Sequence, residues 1–189
     1  MGVGGDRDDE LATQLAFAAA RGDQVAFERW VKATQGDVWR FIVHLNGRSA
    51  ADDLTQETYL RAVSALPRFS GRSSSHTWLL SIARRVVVDS IRRESARPKL
   101  SDQDWETAAE EAPATRTGRH NFEAAVDTQL LLDQIEPERK EALILTQVLG
   151  YSYVEAAEIC ACPVGTIRSR VARARDDLFV FLRAQDNVG

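Results

Sequence analysis

From about Glu10 to Glu94 the apolar residues return every three or four positions and almost never every second one. Such spacing sets them on one stripe of a helix and cannot serve a sheet, where successive side chains point to opposite faces. The stripe runs through Leu11, Leu15 and Ala18, then Phe27, Trp30 and Val31, then Val38, Phe41, Ile42 and Leu45. Its interruptions have turn chemistry: Gly22-Asp23 reads as a stop followed by an N-cap, and Asn46-Gly47 as a break. Ser49 is placed to cap the next helix, which carries Leu54, Tyr59, Leu60 and Val63. Asp52 and Asp53 fall in its first turn, where the helix dipole favours carboxylates. Pro67 ends that helix, "RFSGRSSS" forms a loop, and a long helix follows with Trp78, Leu79, Ile82, Val86, Val87 and Ile91.

From about Ala96 to Arg119 the character changes. Two prolines, few aliphatic residues and no sustained period describe a linker, in which Trp105 stands out as a candidate anchor. Helical spacing resumes near Asn121, with Val126, Leu130, Leu131 and Ile135 as one stripe and Glu138 to Leu149 as the next helix, ended by Gly150. Ser152 caps Tyr153 to Cys160, and a last helix starts at Pro163 and runs to about Ala184. The expected fold is all-α, with two small helical domains joined by a flexible linker.

Composition narrows what such a chain does. Its 189 residues, 44% hydrophobic and 28% charged, suit a soluble globular protein. No apolar run approaches the roughly 20 residues of a membrane helix, and "MGVGGDRDDELATQ" lacks the basic flank and apolar stretch of a secretory signal. A cytoplasmic protein without membrane insertion is expected. Cys160 and Cys162 cannot make a disulfide framework and, with no histidine nearby, make a poor metal site. Packing for Cys160 and a place beside a helix cap for Cys162 are the plainer roles. His44, His76 and His120 lie far apart without a nucleophile or carboxylate partner. Neither a cofactor nor an enzymatic activity is expected.

The segment "CPVGTIRSRVARAR", Cys162 to Arg175, stands against a net charge of -4: four arginines and no carboxylate. At about 100° per residue, Val164, Ile167, Val171, Ala174 and Leu178 fall within an arc of about 80°, which is a core stripe. Opposite lie Gly165, Ser169 and Ala172, flanked by Thr166 and Arg173, with Arg168 and Arg175 on one edge of the stripe and Arg170 towards the other. Small residues at the centre of a basic face suit a helix lying in a DNA major groove. Thr166, Ser169 and Arg173 are placed for base edges, and the flanking Arg168, Arg170 and Arg175 for phosphates. The short helix before it, with Ala156 and Ala157 for a tight crossing, completes a helix-turn-helix.

These residues carry a family resemblance. "SYVEAAEICACPVGTIRSRVARARDDL" resembles region 4 of the extracytoplasmic-function (ECF) sigma factors, group 4 of the sigma-70 family. "ADDLTQETYLRAV" resembles their region 2.2, and "RFSGRSSSHTWLLSIARRVVVDSIRR" their regions 2.3 and 2.4. The resemblance implies sigma region 2 over 10–95, a linker over 96–122 and sigma region 4 over 123–185. It implies an alternative sigma factor that binds core RNA polymerase (β′ clamp helices and β flap), recognises -35 and -10 promoter DNA, and is held by an anti-sigma factor. No module is expected after region 4.

By position, it places Asp52, Asp53, Gln56 and Glu57 on the polymerase-gripping helix; Asp53, Gln56 and Glu57 share a face by their i, i+3, i+4 spacing. Taken alone, Asp52 and Asp53 read first as a first-turn dipole feature. The resemblance places -10 recognition on Phe69, Ser70, Arg72, Ser73, Ser74, Ser75, His76 and Trp78, with Arg84 and Arg85 on the following helix. Such a loop holds unpaired bases by stacking and by hydrogen bonds to exposed edges. By itself Trp78, followed by Leu79 and Ile82, reads first as core, and His76 reads equally as an ordinary loop residue. The acidic run Asp102, Asp104, Glu106, Glu110 and Glu111 is either a solvated spacer or an imitation of nucleic acid. Arg85 and Ala172 depart from residues common in the family, so no promoter consensus carries over. Two rival readings use the same residues: a stand-alone helix-turn-helix regulator, and a polymerase-binding protein that does not read promoters.

Overall fold

The computed structural model describes residues 3–96 and 131–186. Four helices, α1 (Val3–Ala20), α2 (Gln24–Asn46), α3 (Ala51–Ala65) and α4 (Ser75–Ala96), form the N-terminal unit, with a short 3-10 turn at Leu66–Arg68. The C-terminal unit contains α5 (Pro137–Leu143), α6 (Tyr153–Cys160) and α7 (Val164–Asp186). Among the described residues there is no strand.

The local signals act mostly as the sequence indicates. Asp23 caps α2 by accepting from the Ala26 N–H at 2.9 Å, after Gly22 has turned the chain with φ +97. Gly47, at φ +82, closes the same helix. Ser152 opens α6 with a reciprocal capping box: its Oγ accepts from the Glu155 N–H at 3.2 Å, and Glu155 Oε2 accepts from the Ser152 N–H at 2.8 Å.

Four expectations change. Ser49 does not cap α3. The residue before the helix is Ala50, already helical at φ -99, ψ -3, so the chain enters by a turn from Arg48 and no extended residue is left to fold a side chain back. The buried face of α1 is centred not on Leu11, Leu15 and Ala18 but on Ala12 and Ala16, which are fully buried; Leu15 packs half-buried beside them and Leu11 is exposed. Two methyl groups one turn apart let α1 lie close on α2, and a leucine would hold it off. The helix expected from Glu138 to Leu149 is α-helical only to Leu143, then widens into a π turn over Ile144–Val148, closed by Leu149 N–H to Ile144 O at 2.9 Å. The last helix begins at Val164, one residue later than expected, with the Pro163 carbonyl accepting from the Thr166 N–H at 2.9 Å.

Trp30, Phe41, Ile42, Leu79 and Val86 fill the N-terminal core, and Ile144, Leu145, Ile159, Ile167 and Val171 the C-terminal one. The two cores are continuous. Helix α4 packs directly on α6. Beside that contact Arg84 Nε donates to Glu141 Oε1 at 2.7 Å, with Glu141 only 5% exposed. Burial raises the Glu141 carboxyl above its ordinary range, against the opposing pull of Arg84. Linked as they are by a linker, the two helical units also share an interior.

Candidate nucleic-acid interface

The helix-turn-helix is built by α6, the turn at Ala161–Pro163 and α7. Ala156 and Ala157 are buried where the helices cross. Ala161 adopts a left-handed conformation, φ +51, and the Cys162 N–H returns to the Ala157 carbonyl at 3.0 Å, reversing the chain in three residues. Ile167, Val171 and Ala174 are buried, as the 3.6-residue period requires, so the opposite face of α7 is turned to solvent.

The six candidate residues of that face divide. Arg168 and Arg173 are exposed and make no ion pair among the described residues. Ser169 is exposed, its hydroxyl donating to the Thr166 carbonyl at 2.9 Å, and Thr166 is half-buried. Arg170 folds back onto Glu138 and approaches Cys162 Sγ at 3.7 Å. Arg175 donates to Gln147 Oε1 at 2.5 Å. Arg170 and Arg175 therefore tie α7 to the preceding elements, as Arg139 does through Asp177 at 2.9 Å. Cys160 is buried, and that burial pushes its thiol well up, so it acts as packing.

The second polar surface is the loop before α4. Its framework is a chain of aromatic rings: Phe17 to Phe69 at 5.1 Å, Phe69 to Trp78 at 5.1 Å, Trp78 to Trp30 at 6.3 Å and Trp30 to Tyr59 at 5.9 Å. Phe69 and Ser75 are buried and Trp78 is half-buried. Ser75 Oγ accepts from the Trp30 indole at 3.1 Å, and its N–H donates to Thr13 Oγ1 at 2.9 Å. Ser74 caps α4 through the Thr77 N–H at 3.2 Å. His76 is buried with Nδ1 2.5 Å from Asp9 and Nε2 3.8 Å from Asp37. Burial opposes its charge, but the two carboxylates outweigh burial and raise its pKa above 6.5. Phe69, Ser75, His76 and Trp78 therefore hold the loop from inside, and Arg84 is engaged by Glu141. Ser70, Arg72 and Arg85 are exposed, with Ser73 and Ser74 half-buried beside them.

The third surface is α3. Asp52, Asp53 and Gln56 are exposed, and Asp52 accepts from the Trp39 indole at 2.8 Å. Glu57 pairs with Arg61 at 2.7 Å, which also reaches Asp89 at 2.7 Å and holds that carboxyl below its ordinary range. One turn beyond Gln56 and Glu57, Leu60 is 60% exposed, and about a turn further on Val63 is 48% exposed. The acidic face thus continues into an apolar one, which the sequence reading assigned to the core stripe.

Sequence reasoning missed α1. Asp9, Thr13 and Phe17 fix His76, Ser75 and Phe69 respectively, yet nothing in their spacing marks them, because they meet the loop only across some 60 residues of chain.

Comparison with known proteins identifies both helical units. Residues 30–97 match the model of Sigma-70 region 2, and residues 126–178 that of Sigma-70, region 4. The ECF RNA polymerase sigma factor SigC of Mycobacterium tuberculosis is 50% identical over 184 residues, which cover 96% of this chain and 97% of the relative. The structure of CnrH in complex with the cytosolic domain of CnrY superposes with a TM-score of 0.70 at 25% identity, over 92% of this chain and 98% of that one. The sigma factor RpoE of Bartonella quintana, in complex with the anti-sigma factor NepR, gives 0.63 at 26% identity over 83% and 96%. Among the described residues no helix is long and apolar enough to cross a membrane. With both sigma regions matched in order and a half-identical relative covered almost end to end, the chain belongs to the ECF sigma factors of the sigma-70 family.

Proposed function

We propose that the protein is an alternative sigma factor that docks on core RNA polymerase through α3, reads the -35 element with the outer face of α7, and reads and helps open the -10 element with the loop before α4. The observation that carries this reading is the coexistence, in a protein of this family, of a helix-turn-helix whose Arg168 and Arg173 have no side-chain partner among the described residues and an acidic-apolar helix whose Asp53 and Gln56 likewise have none there. The first suits DNA and the second suits a basic protein surface. Region 2 then spans 10–95, the linker 96–122 and region 4 123–185.

Within the -10 set, Ser70, Arg72, Ser73 and Arg85 are the direct contacts, and the buried members keep the loop in shape. Arg84 can join them only if its pair with Glu141 parts. Two modest contacts on one promoter raise each other's effective concentration, so recognition is strongest when polymerase spaces the two units. The protein performs no chemistry of its own and acts in the cytoplasm with polymerase. The CnrH and RpoE relatives were solved with CnrY and with an anti-sigma factor. By that likeness an anti-sigma factor holds this protein inactive, covering exposed apolar residues such as Leu60 and Val63.

The test is reconstituted transcription with bacterial core polymerase and a genomic fragment library, mapping RNA 5′ ends. The expected result is a set of discrete starts sharing two motifs at fixed spacing. Asp53→Ala with Gln56→Ala abolishes these starts through lost core binding, whereas Arg168→Ala with Arg173→Ala keeps core binding and loses the -35 motif. Starts indifferent to the α3 pair, with duplex binding by the protein alone, would replace this reading with a stand-alone regulator.

A further inference from the structure

Between α1 and the loop before α4 lies an open cleft of about 450 Å³. Its back wall is Phe17. The backbone at Gly71, φ +67, lies so close to this ring that a Cβ there would stand 2.5 Å from Phe17 Cζ. Thr13 sets the spacing of the two walls, since its hydroxyl donates to the Asp9 carbonyl at 2.8 Å and accepts from the Ser75 N–H at 2.9 Å. Both bonds run to protein, so Thr13 is a rivet and not a ligand group.

The polar groups left over face the cleft from its two sides. On α1, Glu10 and Gln14 are one turn apart and exposed, and their side chains make no hydrogen bond to any described residue. On the loop, Ser73 is half-buried and Arg72 exposed, also without a partner among the described residues. An aromatic wall, a carboxylate acceptor, an amide and a cation around an open cleft match what a protein presents to one unstacked nucleotide: a ring to stack on, groups for the base edge and a charge for the phosphate.

We infer that α1 is a promoter-reading element, and that Glu10 and Gln14 discriminate one unpaired base of the opened -10 strand, seated beside Phe17 with Arg72 on its phosphate. This rests on the promoter reading above and adds to it a second wall, on a helix the sequence motifs do not reach. The chemistry also selects the base. Glu10 only accepts, and Gln14 can accept as well as donate, so a base offering an exocyclic amino group, cytosine, adenine or guanine, is favoured over thymine, which has none and donates only through its ring N3–H.

The test uses holoenzyme reconstituted from the full chain and core polymerase, with a promoter panel carrying each of the four bases at every non-template position of the -10 element. The wild type is expected to favour an amino-bearing base, cytosine, adenine or guanine, over thymine at one position, by about 10-fold for one well-made edge contact. Glu10→Gln with Gln14→Ala lowers that ratio to within about 3-fold there and leaves every other position and the -35 motif unchanged. Both residues are exposed, so the variant folds; Phe17→Leu adds a second readout, relieving the quenching of 2-aminopurine placed at the same position. Wild-type starts with a base preference that Glu10→Gln/Gln14→Ala leaves intact at every position would overturn the role of α1 alone. Absence of promoter-dependent starts from the wild type would overturn the promoter reading and this inference together.

Discussion

The contact between Arg84 and Glu141 gives the sharpest quantitative test of the fold. Glu141 is 5% exposed, and its carboxylate is compensated by one guanidinium at 2.7 Å. Arg84→Met keeps most of the aliphatic stem and removes the charge, leaving a stranded carboxylate at the joint between the two helical units. Such a loss costs about 3–5 kcal/mol, against a total stability of about 5–15 kcal/mol for a domain of ordinary size. Glu141→Gln should cost less, about 1–3 kcal/mol, because the orphaned Arg84 retains some access to water. The double change Arg84→Met with Glu141→Leu should recover most of the loss, since apolar residues of similar volume replace a buried pair at little cost. The pH dependence has a definite sign. With Arg84 gone, the folded pKa of Glu141 rises further above its unfolded value, the folded state binds more protons, and stability falls as pH rises above about 4.5. Urea unfolding of the four proteins at pH 5 and pH 8 measures all of this. A loss below about 1 kcal/mol in Arg84→Met at pH 8, or equal losses in the two single variants, would mean that the joint between α4 and α6 is not a feature of the free protein.

Three further outcomes follow from single contacts. Gly71→Ala sets a methyl against Phe17 at a positive φ, so about 1–3 kcal/mol of stability should be lost; calorimetry of the variant alone and with Phe17→Leu checks this, the second change giving part of it back. Ser152→Ala removes the capping box of α6 and should cost about 0.5–2 kcal/mol, read as a shift in urea midpoint without a change in slope. The His76–Asp9 pair stabilises fully below about pH 6.5, and its contribution from His76 fades as pH rises through the raised folded pKa, because the unfolded histidine has already lost its proton. The stability gap between wild type and His76→Gln should therefore narrow from pH 6 to pH 9; a gap that widens would refute the pairing.

Much was legible in the residues before any coordinates. The 3.6-residue spacing, Gly22-Asp23, Asn46-Gly47 and the Ser152 cap fixed the helices of both units, because these signals act within one or two turns of chain. The basic face of α7 was legible for the same reason: a stripe formed by Ile167, Val171 and Ala174 dictates what lies opposite. The small-residue face of α1 was not, since nothing local separates a leucine stripe that packs from one left at the surface.

What the sequence by itself determined is the all-helical character, the turn chemistry and the family, each of which depends on residues close in the chain or on their order. Only the tertiary structure decided which polar residues are free to act. It takes Arg170 and Arg175 into contacts with Glu138 and Gln147, draws His76 inward to Asp9, commits Arg84 to Glu141, and leaves Arg168, Arg173, Glu10 and Gln14 open. The physical reason is that a charged side chain takes whichever partner folding brings within about 3 Å, and those partners stand 28 to 67 residues away, beyond any local pattern.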